Sequence, residues 1–261
     1  MLLKGKVAVI YGAAGFVGSA VAKTYAKEGA EVFLAGRSLD PLKSLAEGIV
    51  KEGGSAEAAR VDALDVNSVE DHLRGILGRG KRVDISFNLI STGVAMGKVL
   101  TELTEEQFTR AAFNRARSNF ITGIAAARAM QKQGSGVIIS LTAPNGRLPT
   151  AKSGGFAIGN AAIEALFRQL ALEVGPQGVR VVCLRTGGTP DNPVLQEVFA
   201  LLAKVRGTTK EAVEKAEAEH TALKRSPLIP EVANAAVLIA SDYASAITAT
   251  AINASSGELV D

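Results

Sequence analysis

The sequence predicts an α/β fold in which a doubly wound parallel sheet of about seven strands carries helices on both faces. Short apolar, β-branched runs such as Val7–Ile10 alternate with longer stretches of helical period, as βαβ units require. A glycine-rich turn follows the first run, and no Pro- or Ser-rich linker divides the 261 residues. We therefore expect one domain over residues 1–261, with ligands outside the carboxyl ends of the strands.

The glycine turn after the first strand is the first candidate ligand site. Gly12, Gly15 and Gly18 recur at three-residue intervals, and Phe16 and Val17 open the helix that follows. The unpaired N–H groups of a helix N-terminus and the helix dipole attract an anion. The turn therefore predicts a pyrophosphate site at these five residues. A tight turn that is merely rich in glycine is the alternative.

The end of the second strand predicts which dinucleotide binds. Glu31–Ala35 begins about twenty residues after the turn, at βαβ spacing, and leads into Gly36, Arg37 and Ser38. Proteins that prefer NAD usually place an acidic residue here for the ribose 2′-hydroxyl. Arg37 would instead bind a 2′-phosphate, with Ser38 as a second donor. We therefore expect NADP(H), and a solvated arginine in a loop is the alternative.

Two polar positions follow the next strands at the same edge of the sheet. The alternation continues with a helix over Pro41–Lys51, a strand over Glu57–Val61, a helix over Ser68–Leu77 and a strand over Val83–Asn88. Asp62, followed by Ala63, would accept a hydrogen bond from the adenine amino group or would cap the turn. Asn88 ends its strand where the cofactor ribose would pass.

The second half of the chain repeats the alternation and contains an insertion. The predicted elements are a helix over Thr104–Gln133, a strand over Gly136–Thr142, a helix over Ser153–Val174, a strand over Arg180–Leu184 and a candidate seventh strand over Ala251–Asn253. Residues 188–229 contain two amphipathic helices with Pro and Gly at both ends, which is typical of a mobile lid. The lid offers an apolar contact face made of Leu195, Val198, Phe199, Leu202 and Val205.

Composition argues against several other functions. The net charge is only +3 and no Lys/Arg cluster is interleaved with aromatic residues, so we expect no nucleic-acid partner. No apolar run reaches the roughly eighteen residues of a membrane span, and no signal peptide precedes the first strand. Cys183 is the only cysteine and lies in an apolar strand, which favours a core position and a reducing, cytoplasmic setting. His72 and His220 lie far apart in polar stretches, so we expect both on the surface and no metal site.

Several strings resemble the short-chain dehydrogenase/reductase family, whose members are NAD(P)-dependent oxidoreductases with a Rossmann fold. LAGRS matches the NADP-type second strand, DALD with Val69 matches the family's Asp-Val-x-Asp, and VDISFNLIS matches its Val-Asp-x-x-x-Asn-Asn-Ala-Gly stretch. FNRARSNF places Asn114 on the family's structural and catalytic Asn. With the tail KRSPLIPEVANAAVLIASDYASAIT, the resemblance covers essentially the whole chain. It implies a small-molecule substrate and a homodimer or homotetramer paired through the long helices.

The same resemblance shows where the chain departs from the family. In the family a Tyr transfers the proton, a Ser orients the carbonyl, and a Lys lowers the Tyr pKa and holds the nicotinamide ribose. The alignment places Ala143 on the Ser, Phe156 on the Tyr and Asn160 on the Lys. Phenylalanine has no exchangeable proton, and asparagine has no charge to lower a neighbouring pKa. Asn114 alone is unaltered, and Thr142 should point to the opposite side of its strand from the serine position.

Three functional hypotheses follow. The first is an NADP(H)-dependent oxidoreductase that transfers hydride to an iminium or an activated C=C without the Tyr/Lys relay. The second is a non-redox cyclisation or elimination in an apolar pocket walled by Phe156, Leu89 and Ile90. The third is a catalytically silent, cofactor-binding subunit of a mixed oligomer, in which Ala125–Ala127 and Ala161–Ala162 permit close helix packing. We favour the first, with an apolar small molecule as substrate.

Overall fold

The computed structural model describes residues 1–91 and 97–260 and contains the predicted seven-stranded parallel sheet. The strands are β1 Val7–Tyr11, β2 Glu31–Gly36, β3 Ser55–Arg60, β4 Ile85–Asn88, β5 Gly136–Thr142, β6 Val179–Arg185 and β7 Thr250–Asn253. The helices are α1 Phe16–Lys27, α2 Leu39–Lys51, α3 Val66–Leu77, α4 Glu105–Gln133, α5 Gly154–Val174, α6 Pro193–Arg206, α7 Lys210–Glu219 and α8 Ile229–Ala240. In space the strands follow the order β3-β2-β1-β4-β5-β6-β7.

Local sequence explains where the longer helices begin and end. The α4 helix starts with the capping box that TEEQ predicts. The Thr104 side chain accepts from the Gln107 N–H, and the Gln107 side chain accepts from the Thr104 N–H. It stops at Gly134, which adopts the left-handed conformation at φ 73°. Asp65 begins α3, because its carboxylate accepts from the N–H of Asn67 at 2.9 Å and from that of Ser68.

The two faces of the sheet carry two separate hydrophobic cores. One core packs Ala8, Ile10 and their neighbours against α1, α2 and α8. The other packs Val9, Tyr11 and theirs against α3, α4 and α5. Successive strand residues alternate between the two cores, as expected for strands that are buried on both faces. The helix α8, which lies in the tail and was not assigned from periodicity, completes the first core.

The insertion forms the two predicted helices, but its apolar residues pack mainly on each other. Phe199 and Ala203 of α6 and Val213 of α7 are buried in a small separate core, with Leu195 and Leu202 packed against it. Val198 is 42% exposed, and the side chain of Val205 lies outside the described part of the chain. The apolar residues of the insertion therefore mainly pack α6 against α7.

Two predictions about burial are wrong. Ala125–Ala127 lie on the buried face of α4 and are at most 9% exposed, so they cannot line a subunit contact. Ala161–Ala162 are exposed. His72 does not lie free on the surface, because its ring packs edge-on against the rings of Tyr11 and Phe33 with centroids 6.5 Å apart. These aromatic neighbours come from β1 and β2, which a helix-local pattern does not reveal.

The two fully buried tyrosines allow a matched test of a buried hydrogen bond. The Tyr25 hydroxyl donates to the Ala236 carbonyl oxygen at 3.1 Å, which joins α1 to α8, whereas the Tyr11 hydroxyl has no partner within the described residues. We expect Tyr25→Phe to lower the free energy of unfolding by about 1 kcal/mol. Tyr11→Phe should cost less or stabilise the protein, since it removes an unpaired buried hydroxyl. Urea unfolding measures both, and equal losses would contradict the assignment.

His72 should make the protein acid-sensitive. Burial lowers its pKa from 6.5 to about 4, so between these pH values the unfolded chain binds a proton that the folded chain excludes. The free energy of unfolding should therefore fall by roughly 3 kcal/mol as the pH drops through this window. His72→Phe should reduce this loss. His220→Gln, which changes the exposed second histidine, should leave it as in the wild type. An unchanged acid profile in His72→Phe would refute the link.

Candidate functional site

The candidate site lies where the order of the strands reverses. β1 is flanked by β2 and β4, so the connections after β1 and β4 diverge to opposite faces of the sheet and leave a crevice at their carboxyl ends. Gly12 enters this crevice at φ 79°, and a Cβ there would lie 2.9 Å from the Leu89 carbonyl carbon. A Cβ at Gly18 would collide with the Gly12 carbonyl oxygen. Both positions therefore require glycine.

The middle glycine of the turn is free of such packing. The nearest atom to a Cβ at Gly15 would be the Gly12 oxygen, at an ordinary 3.4 Å. Gly15 is the N-cap of α1 and offers no side chain to cap the first-turn N–H groups. Phe16 is 47% exposed and Val17 packs partly into the first core. The structure thus leaves an uncapped helix N-terminus at the crevice, as an anion site requires.

Arg37 and Ser38 follow β2 at the same edge of the sheet. Both are exposed, and the Arg37 guanidinium forms no hydrogen bond or ion pair with any residue that the structure describes. Ser38 is the N-cap of α2, yet its hydroxyl does not cap that helix. The Arg37 cation, the Ser38 hydroxyl and the N-terminus of α2 therefore lie together without partners in the described chain.

Asp62 and Asn88, two predicted contacts of the cofactor, already have partners within the chain. The Asp62 Oδ1 accepts from the Leu64 N–H at 2.9 Å, so the turn-capping alternative is observed, next to a buried Ala63. The buried Asn88 side chain donates to the Thr122 Oγ1 at 2.9 Å and accepts from the Ile90 N–H at 2.9 Å. These bonds fix the crevice wall, and a contact of either side chain with a cofactor stays a prediction.

The three positions that the resemblance assigns to the Ser, Tyr and Lys lie after β5 and on α5. Ala143 follows β5, and Phe156 is half-buried near the start of α5. Asn160 is fully buried, and its Nδ2 donates to the Asn145 Oδ1 at 3.0 Å while its own Oδ1 has no partner in the described chain. Thr142 is committed to α5, since its hydroxyl donates to the buried Glu164 carboxylate at 3.1 Å, and its orientation relative to the serine position stays a prediction.

Arg115 is a site residue that sequence reasoning missed. Its Nη2 donates to the Leu141 carbonyl oxygen at 2.8 Å, and its guanidinium carbon lies 5.1 Å from the centroid of the Phe156 ring. The side chain is 9% exposed, and its Nε has no partner among residues 1–91 and 97–260. Burial lowers the pKa of Arg115 to about 10, so the group stays a cation at neutral pH.

Asn114, one residue earlier, is half-buried and makes no hydrogen bond within the described residues. The structure therefore brings Arg115 to Phe156, and it is Arg115 that lies on the inward face of α4. A signal was present in the sequence, because Ala111, Arg115 and Ser118 share the spacing of one buried helix face. A catalytic role for Asn114 stays a prediction.

Comparison with known proteins agrees with this arrangement. Residues 12–258 match the protein family described as "Enoyl-(Acyl carrier protein) reductase". The chain belongs to the short-chain dehydrogenase/reductase family. Proteins of this family are oxidoreductases that bind nicotinamide cofactors and act on small molecules. The predicted family and Rossmann-like fold are therefore confirmed.

Individual relatives share the whole fold at modest identity. The chain is 29% identical over 255 residues to an uncharacterized oxidoreductase, YxbG, of Bacillus subtilis (strain 168), which spans 98% of this chain and 91% of that protein. It is 27% identical over 247 residues to a 7alpha-hydroxysteroid dehydrogenase of Clostridium sardiniense, spanning 94% and 90%. The crystal structure of sorbitol-6-phosphate 2-dehydrogenase SrlD from Erwinia amylovora superposes with a TM-score of 0.91 at 26% identity, spanning 97% of this chain and 100% of that one.

Within the described ranges, no three His, Cys, Asp or Glu side chains come together to hold a metal ion. The helices that the structure describes also include none that is long and apolar enough to cross a membrane.

Proposed function

We propose that the chain is an NADP(H)-dependent oxidoreductase that transfers hydride to or from a small organic substrate without the Tyr/Lys proton relay. One observation carries the proposal: the glycine turn is present without a side-chain cap and Arg37 and Ser38 have no side-chain partners in the described chain, whereas the proton-donor positions hold Ala143, Phe156 and Asn160. Hydride transfer depends above all on the placement of cofactor and substrate, which needs no proton donor on the protein.

The residues on the cofactor side fit NADP(H) at three points. The open position at Gly15 and the uncapped α1 N-terminus suit a pyrophosphate. The free Arg37 and Ser38 suit a 2′-phosphate, because a guanidinium and a hydroxyl both donate to phosphate oxygens. The buried, unpaired Oδ1 of Asn160 suits a ribose hydroxyl, at the position where the family's Lys binds the nicotinamide ribose. When bound, NADPH supplies the hydride.

The substrate side suits an apolar acceptor that needs no protein proton donor. Phe156, Leu89 and Ile90 are partly exposed apolar side chains near the crevice. With no Tyr at position 156, the protein has no acid there to protonate a developing alkoxide, so ordinary ketone reduction is disfavoured. An acceptor that takes its proton from water after hydride addition avoids this requirement.

The outer faces of α4 and α5 support a homo-oligomer. Phe113 and Phe120 of α4 are 55% and 51% exposed, seven residues apart on one face, and Leu172 of α5 is 76% exposed. Ala162 on α5 is also exposed and small enough to let a second helix approach closely. We infer that this surface pairs two copies of the chain, in a dimer or tetramer.

Arg37→Gln should separate the two cofactors. Loss of a charge-assisted bond to the 2′-phosphate should weaken NADPH binding by about 10- to 100-fold. NADH lacks that phosphate, so its affinity should change by less than about threefold. Titration calorimetry with both cofactors checks the prediction, and NADH is the internal control for folding. Equal weakening of both, or a wild type that prefers NADH, would contradict the NADP(H) assignment.

Turnover should depend on the class of acceptor. With NADPH and a panel of cyclic imines, enones and ketones, we expect NADPH consumption with an imine or an enone, and little with ketones. The triple variant Ala143→Ser, Phe156→Tyr, Asn160→Lys should gain ketone reduction, because it restores a proton donor with a lowered pKa. Tight NADPH binding without turnover of any acceptor would contradict the proposal. Product formed without cofactor consumption would support a cyclisation or elimination instead.

A further inference from the structure

Arg115 places an uncompensated positive charge beneath the candidate reaction site. It lies at the ends of β4 and β5, where its Nη1 and Nη2 donate to the carbonyl oxygens of Ile90 at 3.5 Å and Leu141 at 2.8 Å. No carboxylate of the described residues pairs with it, and its buried Nε makes no hydrogen bond there. Carbonyl dipoles and the Phe156 ring face the charge without neutralising it.

A buried cation of this kind raises the local potential, because the low-dielectric surroundings do not screen it as water would. Any ligand whose charge changes nearby is affected. A reduced nicotinamide ring is neutral, whereas the oxidised ring is positive, so the two forms of the cofactor meet this potential differently. The positive potential stabilises an acceptor that gains negative charge, whereas it disfavours the binding of a cationic acceptor.

We propose that Arg115 makes this a reductive site, which binds NADPH in preference to NADP⁺ and selects α,β-unsaturated carbonyl compounds over iminium ions. The inference rests on the proposed function and chooses between the two acceptors that it leaves open. It assigns Arg115 as an electrostatic positioning residue that acts across the Phe156 ring.

The reaction that this charge favours is balanced without an acid from the protein. The β-carbon of the acceptor gains the hydride, NADPH is oxidised to NADP⁺, and the C=C electron pair moves toward the carbonyl oxygen to give an enolate. The enolate takes a proton from water at its α-carbon, and the hydroxide left behind is neutralised by buffer. The charge of Arg115 stabilises the enolate oxygen as it forms.

Binding measurements test the charge separately from turnover. The dissociation constant of NADP⁺ should exceed that of NADPH by about tenfold or more in the wild type. Arg115→Met removes the charge together with the hydrogen bonds to the Ile90 and Leu141 carbonyl oxygens, and the ratio should fall toward one. Arg115→Lys should retain most of the preference. Arg117→Gln, which removes an exposed arginine from the same helix, should leave the ratio unchanged. A wild-type ratio near one, or a ratio that Arg115→Met leaves intact, would overturn the proposal.

Substrate selection gives a second readout that does not depend on the stability of one variant. The wild type should reduce an enone at least about tenfold faster than a permanently charged cyclic N-alkyl iminium of similar size. Faster reduction of the iminium would overturn the inference and leave the proposed oxidoreductase function standing. If the wild type binds neither form of the cofactor, the proposed function itself fails. A lower kcat with an unchanged KM in Arg115→Met, together with a kcat restored in Arg115→Lys, would support the role of the charge.

Discussion

The contact between the backbone after β1 and the backbone after β4 determines the geometry of the crevice. Gly12 approaches Leu89 so closely that a methyl group would not fit, and it adopts a left-handed φ that favours glycine. The N–H of Leu89 donates to the carbonyl oxygen of Tyr11 at 2.9 Å, which closes the two strand ends together. The start of α1 is then held against the same turn through Gly18. Everything proposed for the cofactor depends on this approach.

The sequence predicted the order of elements because the information for strands and crossover helices is local. Apolar runs between helical periods identified six strands and a candidate seventh, although β3 spans Ser55–Arg60 rather than the predicted Glu57–Val61, and TEEQ identified the start of α4. Contacts between residues that are far apart in the sequence were harder to predict. His72 resembles a surface residue within its own helix, but it is covered by aromatic rings from β1 and β2. The alanines of α4 were likewise assigned to a subunit contact, although they pack in the core.

The candidate site was predictable on the cofactor side and much less so on the chemical side. Glycine spacing and Arg37 follow directly from short motifs, whose backbone and charge requirements are local. The Thr122 partner of Asn88 comes from α4, so that commitment appears only in three dimensions, whereas the bond between Asp62 and Leu64 is local and turn capping was one of the two predicted roles. Arg115 was missed because family alignment directs attention to the neighbouring Asn114, whereas burial depends on the rotation of α4 about its axis.

The replaced positions differ in what they require of their surroundings. Phe156 needs no polar partner, and Asn160 satisfies its amide donor through Asn145 while its oxygen is left unpaired. Arg115 is different, because a buried cation without a counter-ion costs free energy that an apolar residue of similar volume would not. Its contact with the Phe156 ring offsets about 0.5–2 kcal/mol of that cost. The remainder opposes folding, so a role that needs the charge explains this site better than packing does.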